Sequence, residues 1–130
     1  MSPEGGAGDS RHALGRAGEA AAEAALGEAG MRILARRFRN RAGEIDLVAL
    51  DGAVVVFVEV KTRSGTARGR PGEAVRARKR GRIAKVAQAF LSRNGLERAP
   101  CRFDVVEVVR DDDRLETRHV RDAFRLGLWR

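Results

Sequence analysis

The sequence predicts a small α/β domain built on a mixed sheet. Three observations predict it. An alanine-rich run near the start reads as a helix, and a long β-branched segment over 43–61 reads as two strands. A second helical stripe then separates those strands from a further strand at 101–109. The order helix, three strands, helix, one or two strands is that of a small α/β domain with a mixed sheet.

In chain order, Met1 to about Gly8 is rich in Gly with one Pro and is expected to be a disordered leader, so the domain is drawn over 10–130. Asp9 or Ser10 can cap a helix that runs to Glu28, with Gly30 ending it. Leu14, Ala17, Ala21 and Ala24 share its expected packed face, a phasing that points Glu19 to solvent. Met31 to Phe38 reads as a strand, and Asn40 to Gly43 as a turn. The hairpin follows, joined at Asp51-Gly52. Ser64 to Gly72, where four of nine residues are Gly or Pro, is a basic loop. A second helix is expected from about Gly72 or Glu73 to Asn94, ended by Gly95, with Val75, Ile83, Val86 and Phe90 as its apolar stripe. Cys101 to Val109 is a strand and Leu115 to Val120 a shorter one, paired across the acidic turn Asp111-Asp112-Asp113. Asp122 is placed as the cap of a last helical turn before Trp129. There is no repeat and no linker that would divide the domain.

Composition narrows the function. A chain of 130 residues can bury a core without staples, and one cysteine, Cys101, allows neither an internal disulfide nor a cysteine-rich zinc site. The N-terminus lacks the basic-then-apolar order of a signal peptide, and no apolar run reaches membrane-spanning length. A cytoplasmic protein is the expectation. The net charge of +8 is localised: from Lys61 to Lys85 ten basic residues meet one acid, Glu73, giving +9, while the remainder sums to −1. Such a stripe attracts phosphate backbones, although a solvated arginine-rich helix face has the same composition.

The hairpin carries the chemistry. Glu44, Asp46, Glu59 and Lys61 sit in or beside its most strand-like stretches, and buried charge is costly unless paired or bound to metal. If Asp51-Gly52 is a two-residue loop, Leu50 pairs with Ala53, Asp46 faces Phe57 and Glu44 faces Glu59. All then lie on one side, and Asp46 and Glu59 are diagonal neighbours about 7 Å apart, close enough to share a cation. Two carboxylates and a lysine at a strand end suit Mg²⁺-assisted phosphodiester hydrolysis, with Lys61 orienting water or offsetting developing charge. The plainer reading is an exposed hairpin end where Glu59 pairs with Lys61 or Arg63.

These residues resemble the Asp…Glu-x-Lys core of restriction-endonuclease-like nucleases. Across about Leu14 to Val109 the chain resembles the YraN-type bacterial family, itself similar to archaeal Holliday-junction resolvases. The motifs are Gly15-Arg16-Ala17-Gly18-Glu19, Gly43-Glu44-Ile45-Asp46-Leu47, Phe57-Val58-Glu59-Val60-Lys61-Thr62-Arg63, Gly69-Arg70-Pro71-Gly72-Glu73-Ala74-Val75, Lys79, and Arg102-Phe103-Asp104-Val105-Val106. The resemblance implies a restriction-endonuclease-like mixed β-sheet flanked by α-helices. It also implies Asp46 and Glu59 as metal ligands, Lys61 as the catalytic lysine, and Glu19 as the helix carboxylate that completes the site.

The reading at this point is a cytoplasmic nuclease using Mg²⁺, with Mn²⁺ as an alternative, and acting on DNA, with branched or structured DNA as one candidate. Asp46, Glu59, Lys61 and Glu19 form its site. Arg63, Arg68, Arg70, Arg78, Lys79, Arg82 and Lys85 track phosphates, with Lys79 assigned to a phosphate near the sheet in preference to snorkelling around the core. A homodimer is expected by resemblance, and no membrane contact is expected. The alternative is a nucleic-acid-binding or adaptor module that keeps the fold without turnover. Asp104 is expected to pair with Arg102 or a neighbouring strand, and His12 and His119 are expected to lack ligand-like partners.

Overall fold

The computed structural model describes residues 7–64 and 77–124. Helix α1 (Ala7–Glu28) is followed by β1 (Arg32–Asn40), β2 (Gly43–Asp51), β3 (Val54–Ser64), α2 (Ala77–Arg93), β4 (Cys101–Asp111) and β5 (Arg114–Phe124). The five strands lie side by side in chain order. Every neighbouring pair is antiparallel except β3 and β4, which are parallel and joined through α2. The fold is therefore α/β, a mixed sheet flanked by helices. No helix among the described residues is long and apolar enough to cross a membrane.

The two helices cover opposite faces, because alternate strand residues feed two separate cores. Val55, Phe57, Phe103 and Val105 pack with Ile83, Val86, Ala87, Phe90 and Leu91 of α2. Val56, Val58, Val106 and Val108 pack with Ala22 and Leu26 of α1. Each large apolar side chain contributes about 1.5–3 kcal/mol through burial. On the α2 face an aromatic chain runs from Phe38 to Phe90, Phe57, Phe103 and Phe124, with centroid separations of 5.1, 6.0, 5.0 and 5.2 Å. It ties α2 to four of the five strands.

Several expected boundaries are corrected. Alanine is the strongest helix former, and α1 already includes Ala7, so the helix begins before the cap expected at Asp9 or Ser10. The buried face of α1 is Gly18, Ala22 and Leu26, whereas Ala17 and Ala24 are exposed. The cause is a close approach: a Cβ on Gly18 would lie 2.1 Å from Thr62 Oγ1 on β3. An alanine-rich helix has almost no apolar contrast, and that contact sets its rotation. The start of α2 expected at 72–73, and Val75, lie outside the described residues. Its end is as expected: the Leu96 N–H bonds the Leu91 carbonyl at 2.8 Å while Gly95 adopts φ +68°. Asp122 is inside β5, at φ +52°, within an irregular step where Phe103 pairs Phe124 but Val105 pairs Val120. Its N–H bonds the Asp104 carboxylate at 2.9 Å, so it caps no helix there.

The hairpin turn is also displaced by one residue. Asp51 pairs Val54 and Leu50 pairs Val55, so the loop is Gly52-Ala53. Gly52 at φ +62° occupies the first central position, where a type II′ turn requires glycine. Asp51 stays in the strand because Arg102 holds its carboxylate at 3.0 Å.

Candidate active site

The corrected register replaces the expected placing of the two key carboxylates. Phe57 pairs with Val48 rather than Asp46, and the β2–β3 ladder ends at Leu47 opposite Val58, which leaves Asp46 and Glu59 as the first residues beyond it on their strands. The expected opposition of Glu44 and Glu59 is likewise replaced. Beyond that rung Asp46 Oδ2 accepts the Val60 N–H at 2.8 Å. A side chain has thus taken the hydrogen bond that a backbone carbonyl would otherwise supply, which fixes the carboxylate where the strands part.

A second irregularity adjoins it. Arg37 of β1 lies level with Asp46, between the pairs Arg36–Leu47 and Phe38–Ile45. It adopts φ +52°, uncommon for a residue with a Cβ. Alternation fails there: Ile45 joins the α2-side core, while Leu47 joins the α1-side core. The expectation that the charged residues share one face is corrected by this break. Glu59 and Lys61 belong to the α2 side, and Glu19 belongs to the α1 side. Asp46 lies between the two.

Electrostatics binds the group together. Burial, followed by the charge of Glu59, pushes the Asp46 carboxyl up to about 7, against the lowering effect of the Val60 N–H. The charges of Glu19 and Glu44 add to the rise, so three neighbouring carboxylates act on Asp46. Glu59 Oε2 accepts Lys79 Nζ of α2 in a close ion pair, and Lys61 Nζ lies 3.5 Å from the same oxygen. Burial works against the Lys79 charge, but the hydrogen bond and charge of Glu59 outweigh it and leave its pKa raised. Glu19 faces β1 rather than solvent, and its Oε1 pairs with Arg37 at 3.0 Å. Beside that pair, Arg36 bonds Glu23 at 2.6 Å. A cleft of about 350 Å³ between α1 and β1 is lined by Arg16, Glu19, Glu23, Arg36, Arg37 and Leu47.

The donor set fits a hard divalent cation such as Mg²⁺, which is commonly held by one or two carboxylates and completes its shell with water and phosphate oxygens. The crowding that raises Asp46 is the negative potential such an ion relieves. Asp46 and Glu59 supply that pair. No group of three or more His, Cys, Asp or Glu side chains forms a metal-binding cluster among the described residues.

The phosphate-tracking residues are divided. Arg82 and Lys85 are exposed on α2. Arg63 is half-buried, with Nε 3.5 Å from Glu107, so its charge is largely spoken for within the fold. Lys79 turns to Glu59. Arg68 and Arg70 lie outside the described residues, as does the side chain of Arg78.

A family model described as "Uncharacterised protein family UPF0102" matches residues 18–108, a span that holds the whole carboxylate and lysine group. The chain belongs to the UPF0102 family. A UPF0102 protein of Symbiobacterium thermophilum is 55% identical over 112 residues, covering 85% of this chain and 95% of the relative. One from Anaeromyxobacter dehalogenans is 48% identical over 130 residues, covering 96% of each. One from Syntrophotalea carbinolica is 44% identical over 119 residues, covering 92% of this chain and 97% of the relative. UPF0102 is the YraN-type family whose motifs this chain resembles.

Two features of this UPF0102 chain escaped sequence reasoning. Arg37 gave no signal beyond being one of several basic residues on β1. The other is a buried network on the α1 side. Asp104 is fully buried and, as expected, pairs with Arg102 at 3.0 Å, but its carboxylate also lies 2.7 Å from His119 Nε2. His119 therefore has a carboxylate partner, contrary to expectation, because it pairs with Val106 and so lies diagonally across from Asp104. His12 lies among residues whose side chains are not described.

Proposed function

We propose that this chain is a divalent-metal-dependent nuclease of restriction-endonuclease-like type that hydrolyses phosphodiester bonds in DNA in the cytoplasm. The observation that carries the reading is Asp46: a half-buried carboxylate just beyond the last β2–β3 pair, within reach of the Glu59 charge, with its pKa raised to about 7 by burial and by neighbouring carboxylates. Strong perturbation of this kind, with named charge partners, favours a functional role over an ordinary surface ion pair. Asp46 and Glu59 would hold Mg²⁺ or Mn²⁺, and Glu19 would join them on leaving Arg37. The ion supplies Lewis acidity toward the phosphodiester and a lowered pKa for bound water.

The chain's own residues do the rest. Lys61, anchored beside Glu59, orients the attacking water and offsets charge developing on the phosphate. Arg82 and Lys85, exposed on α2, hold flanking phosphates. The motif resemblance favours branched or structured DNA as substrate and a homodimer as the working form.

Calorimetric titration of Mn²⁺ into wild type and Glu59→Gln tests the reading. Wild type is expected to bind and the variant to lose at least about tenfold in affinity, as expected for removal of a ligand charge. Binding that is unchanged by the substitution would place the metal elsewhere and end the proposal. One observation favours a second reading, a DNA-binding or adaptor module without turnover: Glu19 is engaged by Arg37 rather than gathered with Asp46 and Glu59. That module would bind DNA equally well with EDTA and with Mg²⁺, and would be indifferent to Asp46→Asn.

A further inference from the structure

The carboxylates of this site already carry cations of the chain. Glu59 holds Lys79 and Lys61, and Glu19 holds Arg37. A group of carboxylates, Glu19, Glu44 and Glu59 around Asp46, thus faces three basic side chains. The Glu59 side chain is only 11% exposed, and Lys79 Nζ sits against the oxygen that an incoming cation would use. A divalent ion at that oxygen meets the repulsion of an ammonium already in contact with it. On the other side of the sheet, Arg37 takes up an uncommon backbone conformation level with Asp46 and points with Arg36 toward α1, into the cleft that also contains Arg16.

Resting on the nuclease reading, we propose that Lys79 and Arg37 are resident counter-ions that exchange for the divalent metal and, once released, bind the phosphodiester backbone. The ammonium of Lys79 reaches Glu59 from the α2 face and the guanidinium of Arg37 reaches Glu19 from the α1 face, so each is released by the carboxylate it holds. Arg37 opens on the 350 Å³ cleft, which becomes a subsite for a phosphate of the bound strand. Guanidinium groups suit that task because they bind phosphate oxygens in a bidentate manner. Linkage then requires reciprocity: metal tightens DNA binding, and DNA tightens metal binding by the same factor.

The test measures binding, not turnover. Mn²⁺ is titrated by calorimetry into wild type, Lys79→Gln, Lys79→Arg and Arg37→Asn, the last chosen because asparagine tolerates the left-handed backbone. Lys79→Gln and Arg37→Asn are expected to bind Mn²⁺ about three- to tenfold more tightly, the scale of removing one competing charge. Lys79→Arg keeps the competitor and is expected to match wild type. A labelled duplex with phosphorothioate linkages, followed by anisotropy in EDTA and in saturating Mn²⁺, is expected to gain affinity with metal in wild type and to gain less in Lys79→Gln. Should Lys79→Gln fail to fold, Arg37→Asn carries the same measurement. Mn²⁺ binding that depends on Glu59 but is no tighter in either charge-removing variant overturns the exchange and leaves the site reading standing. Absence of Mn²⁺ binding to wild type overturns both.

Discussion

Asp46 is stabilised poorly by its surroundings, and that is measurable. Its folded-state pKa of about 7 lies above the usual carboxylate range, so the native protein retains a proton that the unfolded chain has released. The stability from that proton is full below about pH 4 and is lost as pH rises through about 7. Asp46→Asn should therefore flatten the fall in stability between pH 5 and pH 8 and raise the melting temperature at pH 8 by roughly 5 °C or more, about a few kcal/mol. Equal pH slopes for the two proteins would show that the carboxylate is not strained. Saturating Mg²⁺ should give wild type the same gain at pH 8, since the ion answers the same repulsion.

Lys61 provides the second prediction at this scale. Its ammonium lies beside Glu59 but is the more distant of the two lysines on that oxygen, so it is the less tightly held of the pair. Lys61→Ala should lower cleavage by at least about a hundredfold, the usual scale for a positioned polar catalyst, while changing DNA affinity little. Full cleavage by the variant would remove Lys61 from the mechanism. Asp46 and Lys61 could both be singled out in the sequence, because a charge inside a β-branched run is costly to bury unless a partner or a ligand compensates it. What charge patterning could not show was which basic residues would pair with the acids, since Lys79 and Arg37 arrive from elements 20 residues after Glu59 and 18 after Glu19.

At the scale of elements, the seat of α1 is decided by one glycine. Gly18→Ala places a methyl 2.1 Å from Thr62 Oγ1 and 3.0 Å from the Thr62 Cβ, so turning the threonine side chain does not relieve it. Alanine favours the helix by about 1 kcal/mol over glycine, yet the overpacking should cost about 1–3 kcal/mol more than that gain. A chemical-denaturation midpoint equal to or above that of wild type would refute this. Glu19 is the next residue along, so lifting the helix also moves the Glu19–Arg37 pair. This is why helix phasing from sequence failed for α1 and succeeded for α2. Ile83, Val86 and Phe90 mark the buried face of α2 unmistakably, whereas α1 offers alanine on every side. The hairpin turn was misplaced for a related reason: Asp-Gly is a strong local turn signal, but Arg102, 51 residues away in sequence, keeps Asp51 in the strand.

Over the whole molecule, the strands and the α/β class were legible because hydrophobic periodicity and turn residues are local signals. The basic stripe was legible only as charge. Folding sorts it into groups held by acids, such as Arg63 and Lys79, and groups open to solvent, such as Arg82 and Lys85. Binding to duplex DNA should follow that division. Lys85→Ala should weaken affinity to a similar degree for all sequences and reduce the slope of log affinity against log salt by about 0.9. Arg63→Ala should affect stability through Glu107 more than it affects the salt slope. Identical slopes for wild type and Lys85→Ala would take α2 out of the interface.

The parallel seam between β3 and β4 has a consequence for how the molecule comes into being. On either side of it the strands are joined by tight turns and pair with near neighbours, β1 to β3 on one side and β4 to β5 on the other. The seam itself joins Val55 to Cys101 and Ser64 to Arg110, across an excursion that includes α2. Closing so long a loop is entropically slow, so the two antiparallel units should form early and meet late. The candidate site takes Glu59 and Lys61 from β3 and Lys79 from the excursion, so it matures only at that meeting. In stopped-flow refolding, truncations at Val56 and Val106 should slow folding, whereas truncation at Leu115 should chiefly hasten unfolding.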